Sequence, residues 1–163
     1  MSLCILPPET FTYDAAGNRT GSATDPGYKY DAAGRLIAAE GARFAYDRNG
    51  NLVEKTTTSG RTTYSWDLEN RLIGVEMPDG GRVSYAYDPF GRRIAKNVSG
   101  CVTTYLYDGN YILLEMDGEG ATTAHYTHGP GVDWPLMLDS KGQTWFYHTD
   151  SLGSVVALLL STA

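Results

Sequence analysis

Three neighbouring residues near the end of the chain have the side chains of a hydrolase. His148 and Asp150 would lie on one face of an extended strand, because side chains alternate between faces, and Ser151 is adjacent. Asp150 is, however, followed by Gly153 in a spacing typical of a turn. Ser151 also lacks the glycine pattern of a nucleophile elbow, and a catalytic triad is defined by geometry rather than by adjacent letters. We therefore favour a turn here and predict no catalytic residue.

The three histidines raise the possibility of a metal site, since imidazole is a common ligand. His125 and His128 are separated by three residues, which places them on opposite faces of a regular strand unless a turn at 129–131 intervenes. His148 lies far along the chain. We predict no metal ion and no cofactor.

Composition and charge exclude several classes of protein. A formal net charge of -6 argues against a nucleic-acid binder, which needs clustered Lys and Arg to displace counterions from phosphates. Residues 1–11 lack the basic start and apolar core of a signal peptide, so as encoded we expect no cleaved export signal. The last apolar run, residues 155–160, is too short to span a bilayer. Cys4 and Cys101 are expected to be thiols rather than a disulfide pair.

The residue types favour strands. The chain has 12 Tyr and 19 Gly but only 4 Phe. Tyr suits pleated, half-buried surfaces on which its hydroxyl remains in water, and Gly supplies turns with positive φ. No long stretch has the apolar period of a helix, so the composition predicts an all-β fold of many short strands.

A repeat runs through the sequence. Aromatic-aspartate pairs recur 16 to 21 residues apart, at Tyr13 and Asp14, Tyr30 and Asp31, Tyr46 and Asp47, Trp66 and Asp67, Tyr87 and Asp88, and Tyr107 and Asp108. Seven aspartates also have Gly three positions later: Asp14 with Gly17, Asp31 with Gly34, Asp47 with Gly50, Asp88 with Gly91, Asp117 with Gly120, Asp139 with Gly142, and Asp150 with Gly153. This spacing predicts a turn at each of the seven sites.

The spacing fits a type I turn in which Asp accepts backbone N–H bonds and Gly takes the left-handed conformation. Two substitutions obey the same rule. Pro89 falls at the second turn position, and Asn70, the next most tolerant residue, replaces Gly after Asp67. Each repeat also contains a second turn signal, for example Ser99 and Gly100, so each repeat is predicted to form one β-hairpin.

The returning strands place aromatic residues on one face at a period of two, as in Tyr85 and Tyr87. Stacked hairpins would align these rings into a ladder in which cross-strand aromatic pairs contribute about 0.2 to 1 kcal/mol each. The alternative is a carbohydrate-binding face that uses Trp66, Trp134 and Trp145 as stacking platforms. We favour packing, the commoner role of aromatic residues at this period.

The repeats resemble the YD repeats of the bacterial Rhs family. The resemblance rests on Tyr-Asp-Ala-Ala-Gly-Arg-Leu at 30–36, Tyr-Asp-Arg-Asn-Gly-Asn-Leu at 46–52 and Tyr-Asp-Pro-Phe-Gly-Arg-Arg-Ile at 87–94. The string from Tyr147 to Val155 is similar to the opening of the Rhs-associated core region. The resemblance divides the chain into a leader at 1–12, a YD-repeat region at 13–146 and a truncated start of the core at 147–163.

The resemblance implies a structural role. In this family, whose relatives include insecticidal toxin complexes and animal teneurins, consecutive hairpins form a strip that spirals into a shell around a toxic C-terminal domain. We therefore expect a non-enzymatic scaffold whose full-length parent would have a C-terminal toxin domain and secretion machinery as partners. The family's core continues further than residue 163, so we expect an orphan fragment of a longer gene.

One string is similar to the self-cleavage motif of the family. Asp88, Pro89, Phe90 and Gly91 match its Asp-Pro-any-Gly pattern, but they follow Tyr87 in the register of the repeat. We interpret this string as another turn.

The prediction is thus an all-β protein with consecutive antiparallel hairpins in one large, strongly curved or spiralling sheet of about 12 to 16 strands. Its open strand edges would recruit other chains, so we also predict self-association. Nucleic acid and a membrane span are not expected.

Overall fold

The computed structural model describes residues 10–22, 27–131 and 134–161. These residues form strands and turns, with no helix in the described ranges. The predicted leader at 1–12 and Cys4 lie largely or wholly outside them. Cys101, at the start of a strand, is an exposed free thiol.

The chain divides into two compact units, Met1–Gly81 and Arg82–Ala163. The first unit contains β1 (Phe11–Tyr13), β2 (Arg19–Ser22), β3 (Lys29–Tyr30), β4 (Leu36–Ala39), β5 (Ala42–Tyr46), β6 (Leu52–Thr57), β7 (Gly60–Trp66) and β8 (Leu72–Glu76). The second contains β9 (Arg82–Tyr87), β10 (Arg93–Val98), β11 (Cys101–Asp108), β12 (Tyr111–Asp117), β13 (Thr122–His128), β14 (Pro135–Ser140), β15 (Gln143–Thr149) and β16 (Val155–Leu160).

Neighbouring strands in each unit are antiparallel and consecutive in the chain. In the first unit β1 and β2 form a hairpin of their own and β3 to β8 follow one another in sheet order, and in the second unit β9 to β16 do the same, with no crossover in either. This order requires only short turns between strands, which the frequent glycines provide. The prediction of an all-β fold built from consecutive antiparallel hairpins is confirmed.

Two kinds of turn connect the strands. Most longer turns begin with an aspartate and lie next to a register shift in the strand pair that they connect, as between Ala45 and Tyr46, whereas the turn after β8 begins at Met77. Two-residue turns have positive φ at both residues at Glu40 and Gly41 and at Ser99 and Gly100. Positive φ at both positions fits the right-handed twist of a hairpin.

Little of the chain is deeply buried. In the described residues the buried apolar side chains are Ala39, Ala42 and Ala124, and no large side chain is fully buried. The strand side chains instead alternate between half-buried and exposed, as in β9. Stability must therefore depend on backbone ladders, on turns and on contacts between neighbouring strands more than on a central core. No segment of the described chain is a helix long and apolar enough to cross a membrane.

Candidate functional site

The repeated structural site is the aspartate turn, and the turn at Asp31 shows its geometry. The Asp31 N–H donates to the Arg35 carbonyl at 2.9 Å, and the Gly34 N–H donates to the Asp31 carbonyl at 3.0 Å. The carboxylate Oδ1 of Asp31 accepts the N–H groups of Ala33 at 2.9 Å and Arg35 at 3.0 Å. One aspartate thus holds both strands and the loop between them.

The same arrangement recurs in both units. In every case the carboxylate Oδ1 accepts the amides two and four residues later, at Asp14, Asp47, Asp67, Asp88, Asp117 and Asp150. The residue three positions after the aspartate donates its N–H to the aspartate carbonyl each time.

The fourth residue of the turn has positive φ. Gly34 has a φ of 77° and Gly91 a φ of 83°, while Asn70 has a φ of 59° at the same turn position. Asn tolerates this region better than other residues with a side chain, which explains the substitution for glycine. Pro89 occupies the second position of its turn, where its fixed φ is suitable.

The prediction of this turn at Asp139 and Gly142 is wrong. Asp139 lies within β14, and the chain reverses at Lys141 and Gly142, whose φ values are 52° and 72°. Ser140 pairs with Gln143 across this two-residue loop. The Asp139 carboxylate instead accepts the Thr144 hydroxyl at 2.6 Å. A two-residue loop needs no aspartate, because positive φ at both positions already matches the strand twist.

Asp108 also differs from the other aspartates of the aromatic pairs. It is the last residue of β11 and pairs with Tyr111 across a short turn that contains Gly109. Tyr107 keeps the position of the repeated aromatic residue, although the following turn is of the two-residue kind.

At five of the seven aspartate turns, the residue after the left-handed position also binds the second carboxylate oxygen. Arg35 Nε donates to Asp31 Oδ2 at 2.7 Å, and Arg92 Nε donates to Asp88 Oδ2 at 2.6 Å. Asparagine does the same at Asn51, whose Nδ2 lies 3.0 Å from Asp47 Oδ2. The sequence shows an Arg or Asn directly after the turn glycine, but the bond from this side chain to the aspartate was not predicted.

These hydrogen bonds lower the pKa of five of the turn carboxyls. For Asp31 the main cause is the Arg35 amide, opposed by desolvation and reinforced by the Arg35 side chain. For Asp88 desolvation acts to raise the pKa, but the bonds from the Arg92 side chain and amide outweigh it and leave the pKa lowered. Asp14, Asp47 and Asp67 also have lowered pKa values. The ionised carboxylate is therefore favoured at these five turns.

In four of the six pairs the aromatic residue binds the main chain of the preceding hairpin. The Tyr46 hydroxyl donates to the Leu36 carbonyl at 2.8 Å, and Trp66 Nε1 donates to the Leu52 carbonyl at 2.8 Å. Tyr30 reaches the Arg19 carbonyl in the same way. In the second unit Tyr107 reaches the Arg93 carbonyl at 2.9 Å. Each acceptor lies five residues after the preceding turn aspartate, at the start of the strand that leaves the turn.

The sequence predicted that the tyrosine hydroxyls would remain in water and that the rings would pair across strands. The hydroxyls of Tyr30, Tyr46 and Tyr107 instead donate to main-chain carbonyls. Consecutive motif residues such as Tyr30 and Tyr46 lie on alternate strands, β3 and β5. Two strand spacings separate them by about 10 Å, which is too far for direct cross-strand pairing. The ring pair recorded within the described ranges, Tyr111 with His128, has centroids 4.9 Å apart and lies outside the motif row.

Arginine lies over the motif rings. The Arg35 guanidinium carbon is 5.2 Å from the centroid of Tyr46, and that of Arg92 is 4.9 Å from the centroid of Tyr107. Arg35 Nη1 also donates to the Asp47 carbonyl at 3.2 Å. One arginine therefore contacts the aspartate of its own turn, the next turn and the next aromatic residue.

The turns at Asp47 and Asp67 are joined by an amide cluster. The Nδ2 groups of Asn49 and Asn51 both donate to Asn70 Oδ1, at 3.0 Å and 2.7 Å. Asn70 therefore serves as more than a substitute for glycine, since its side chain connects two hairpins.

The histidines do not form a metal centre in the described residues, where no group of three possible ligands converges. His125 and His128 line a common cavity of about 530 Å³ together with Tyr111 and Asp108. The register of β13 against β14 shifts between Thr127 and His128, where Leu136 of β14 is the extra residue. His125 Nδ1 lies 3.8 Å from Asp139 Oδ2, beyond hydrogen-bond range.

The hydrolase residues are not arranged for catalysis in this structure. Asp150 Oδ1 accepts the amides of Leu152 and Ser154 at 2.9 Å each, as in the other aspartate turns. His148 is exposed on β15, opposite Ala157 of β16, and Ser151 lies in the turn. A triad needs its base bonded to the nucleophile and oriented by the acid.

The string at Asp88 to Gly91, which is similar to a self-cleavage motif, has the geometry of the other turns. Asp88 Oδ1 accepts the amides of Phe90 and Arg92 at 2.9 Å each. Of the proposed stacking residues, Trp66 is half-buried with its indole N–H bonded to the main chain. Trp134 is 47% exposed beside Gly129 and Gly131.

The family model described as the teneurin YD-shell matches residues 5–162, almost the whole chain. The chain belongs to the teneurin YD-shell family. The resemblance to Rhs YD repeats is thereby confirmed, and the aspartate turn with its aromatic residue is the repeating unit of this YD-shell chain.

Curated relatives of the YD-shell chain are much longer proteins. It is 34% identical over 159 residues to the tRNA3(Ser)-specific nuclease WapA of Bacillus spizizenii, covering 91% of this chain and 7% of the relative. It is 36% identical over 127 residues to the probable deoxyribonuclease RhsB of Dickeya dadantii, covering 69% of this chain and 8% of the relative. The chain thus spans less than a tenth of the length of either relative.

A solved structure has the same fold. The crystal structure of TcdB2-TccC3-Cdc42 aligns with a TM-score of 0.51 and 19% identity, over 94% of this chain and 9% of that chain. The likeness supports the YD-shell fold.

Proposed function

We propose that the chain is a non-enzymatic structural segment of a YD shell. The observation that carries this proposal is the use of the motif side chains. Tyr30, Tyr46, Trp66 and Tyr107 each bind the main chain of the preceding hairpin. The turn carboxylates bind the amides of their own loops. These side chains are engaged in holding hairpins together and are poorly placed for chemistry on a substrate.

The role of the repeat motif follows from this use. The aspartates and the residues at the left-handed position shape the turns, and the aromatic residues tie one turn to the turn before it. The proposal assigns this structural role to Tyr13, Asp14, Gly17, Tyr30, Asp31, Gly34, Tyr46, Asp47, Gly50, Trp66, Asp67, Asn70, Tyr87, Asp88, Gly91, Tyr107, Asp108, Asp150 and Gly153. Asp108 acts as the end of its strand and not as a turn aspartate.

In a full-length parent we propose that this segment forms part of a wall around a C-terminal toxin domain, and that the parent is exported by secretion machinery. The names of the relatives, a tRNA nuclease and a probable deoxyribonuclease, support this because they describe nucleic-acid-cleaving activities of proteins far longer than this chain. Residues 13–146 would form the repeat wall, and residues 147–163 would begin the core region that follows it.

A chimaera tests the structural role. The matching segment of the Bacillus spizizenii relative would be replaced by this chain, and digestion of the C-terminal part of the relative by an added protease would be measured over time. We expect the chimaera to resist digestion about as well as the parent.

A variant chimaera with Gly34→Val and Gly91→Val is the matched control, because both changes distort turns while leaving the length unchanged. It should be digested faster than the chimaera with the unchanged segment. Equal and rapid digestion of both chimaeras, with the parent resistant, would contradict a wall function for this chain.

The non-enzymatic part of the proposal has its own test. The purified chain would be incubated with tRNA and with double-stranded DNA, beside a His148→Ala variant, and the products would be resolved on gels. We expect no cleavage by either protein. Cleavage that is lost in the variant would show catalysis at His148.

A further inference from the structure

The second unit has an edge at which the row of aspartate turns is interrupted. In an antiparallel sheet of consecutive strands every second junction lies at the same edge, so the β11–β12 and β13–β14 junctions lie between the turns at Asp88 and Asp150. At the first of these junctions β11 ends at Asp108 in a two-residue turn, and at the second β13 is followed by a loop that includes residues 129–131. Departures from the local rule of a chain are expected at functional sites.

Two cavities lie at these loops. The cavity of about 530 Å³ and a second one of about 410 Å³ share Tyr111, Tyr126 and His128 as lining residues. Both volumes are within the range of about 300 to 1,000 Å³ that is usual for small-molecule sites. We call the two cavities together the edge cleft.

The walls of the edge cleft are held in place by contacts within the unit. The rings of Tyr111 and His128 pack with their centroids 4.9 Å apart. The Tyr111 hydroxyl donates to the Gly131 carbonyl at 3.1 Å, and the Gly129 N–H donates to the Trp134 carbonyl at 2.8 Å. The edge cleft is therefore largely formed before a ligand arrives, which lowers the ordering cost of binding.

The edge cleft combines aromatic rings with two polar groups that have no partner. The Asp108 carboxylate and the Asn110 side-chain amide make no hydrogen bond or ion pair within the described residues, unlike the carboxylates of the aspartate turns. Such groups are available to a ligand. The ring-bearing residues that line the edge cleft are Tyr107, Tyr111, Tyr126, Tyr147, His125 and His128.

The charges around the edge cleft favour a neutral ligand. The described lining residues include no Lys or Arg to bind an anion, and the chain has a formal net charge of -6. An organic cation would meet Arg92, whose Nη1 donates to the Gly109 carbonyl next to Asp108. The guanidinium carbon of Arg92 also lies 4.9 Å from the centroid of Tyr107, so a cation already occupies this position.

A pyranose sugar has the surfaces that such a cleft accommodates. Its apolar C–H face packs on aromatic rings, and its hydroxyls need both donors and acceptors. We propose that the edge cleft binds a neutral pyranose disaccharide, with Tyr111 and His128 as the ring surface. Asp108 accepts hydroxyl protons from the sugar, and Asn110 both donates and accepts. Two cavities with common walls suit two linked sugar rings.

This site differs from the sugar-binding face considered from the sequence. The described residues that line the edge cleft do not include Trp66, Trp134 or Trp145. The site also goes beyond the proposed wall function, because a wall segment needs no ligand. Loss of sugar binding with unchanged unfolding would therefore leave the wall proposal intact.

Proton NMR of the three histidines tests the site in the unmodified protein. His125 and His128 line the edge cleft, whereas His148 is exposed on β15 and lines neither cavity, which makes it an internal control. The probes are cellobiose, maltose and lactose, with sorbitol as a polyol without a ring and choline as an organic cation. We expect at least one disaccharide to shift the imidazole signals of His125 or His128 saturably and to leave His148 unchanged.

Three results of this titration would overturn the proposal. In the first, no disaccharide shifts the signals of His125 or His128 at millimolar concentration. In the second, all three histidines shift together, as non-specific contact would produce. In the third, sorbitol or choline shifts the signals of His125 or His128 as much as any disaccharide does.

A charge-neutralising pair of variants tests the acceptor. Asp108→Asn should weaken binding of the disaccharide by about tenfold, because hydrogen bonds to a charged group are stronger than those to an amide. Glu119→Gln, in an exposed turn at the opposite edge, is the matched control and should leave the affinity unchanged. Both variants should keep the thermal midpoint of the parent, since the Asp108 carboxylate has no partner in the described chain. Equal affinities in the two variants would overturn the role of Asp108.

Two substitutions of Tyr111 separate the ring from the loop contact. Tyr111→Phe keeps the ring and loses only the bond to Gly131, whereas Tyr111→Leu loses both. We expect Tyr111→Leu to weaken binding by about two- to tenfold more than Tyr111→Phe does. Circular dichroism would confirm that both variants retain the β fold. Equal losses of affinity would show that Tyr111 acts only by anchoring the loop and would overturn the proposed ring surface.

Discussion

The Tyr46 hydroxyl donates a hydrogen bond of 2.8 Å to the carbonyl of Leu36, across the junction between two successive hairpins. Leu36 is the first residue of β4, directly after the turn that begins at Asp31. The register shift at such a turn interrupts the regular ladder, so a carbonyl there needs a partner from elsewhere. The aromatic residue of one repeat thus satisfies the main chain of the repeat before it.

Removal of this hydroxyl should destabilise the chain measurably. Tyr46→Phe keeps the ring and leaves the Leu36 carbonyl without its donor, and we expect a loss of about 0.5 to 1.5 kcal/mol in the free energy of unfolding. Tyr64→Phe, on β7, is the control because the hydroxyl of Tyr64 makes no hydrogen bond within the described residues. Denaturant unfolding monitored by circular dichroism would compare the two, and equal losses would show that the bond to Leu36 contributes nothing particular.

The turn glycines should resist substitution by a β-branched residue. Gly34 and Gly91 have positive φ, and the space around each is open, so backbone strain and not collision determines the effect. Gly34→Val or Gly91→Val should lower the free energy of unfolding by about 1 to 2 kcal/mol each. Gly34→Asn should be tolerated better, because Asn70 already occupies this conformation. Thermal unfolding midpoints that are unchanged in both valine variants would contradict the turn assignment.

Arg35 should have two separable contributions. Arg35→Asn retains a donor for Asp31, as Asn51 does for Asp47, but loses the contact with the Tyr46 ring and the bond to the Asp47 carbonyl. Arg35→Ala loses all of these. The thermal midpoint should fall in the order of wild type, Asn and then Ala. An Asn variant as unstable as the Ala variant would show that the carboxylate contact adds nothing.

Acid should destabilise the fold through the turn carboxyls. Asp14, Asp31, Asp47, Asp67 and Asp88 have pKa values lowered in the folded chain from the ordinary 3.8. The folded state therefore binds protons less readily than the unfolded state. Their stabilising contribution is complete above the ordinary carboxyl pKa and is lost as the pH falls through the lower folded values.

Thermal unfolding across a pH series would check this sign. The midpoint should vary little above about pH 5 and decline below about pH 4. Asp31→Asn is a useful comparison, since it should reduce stability near neutral pH and make the decline in acid shallower. A midpoint that rises on acidification would show that these carboxyls do not control the response.

The turns could be predicted from the sequence because their determinants are local. Asp31 and Gly34 contact each other within one loop, and the tolerance of Asn for positive φ explains Asn70. The same local pattern failed at Asp139, where a Lys-Gly pair closes a shorter loop one residue later. Two turn types with overlapping sequence preferences cannot be separated by spacing alone.

The partners of the aromatic residues could not be predicted in the same way. Tyr46 and Leu36 are ten residues apart, and their contact lies next to the register shift between β3 and β4 at Leu36. The cavity that His125 and His128 both line likewise includes Gly129 and Gly131 of the following loop, whose path the strand pattern does not specify. A register shift depends on both strands of a pair, so the sequence of one strand alone does not predict it.

The hydrogen bond from a motif aromatic residue to the preceding hairpin limits how such proteins can lengthen. Because Trp66 needs only the carbonyl of Leu52 in the hairpin before it, a duplicated hairpin would bring its own donor and find its acceptor already in place. Insertion or deletion of a whole repeat would leave the other junctions intact, whereas a change of a few residues would misplace a ring. Genes of this kind should therefore vary in size by complete repeats.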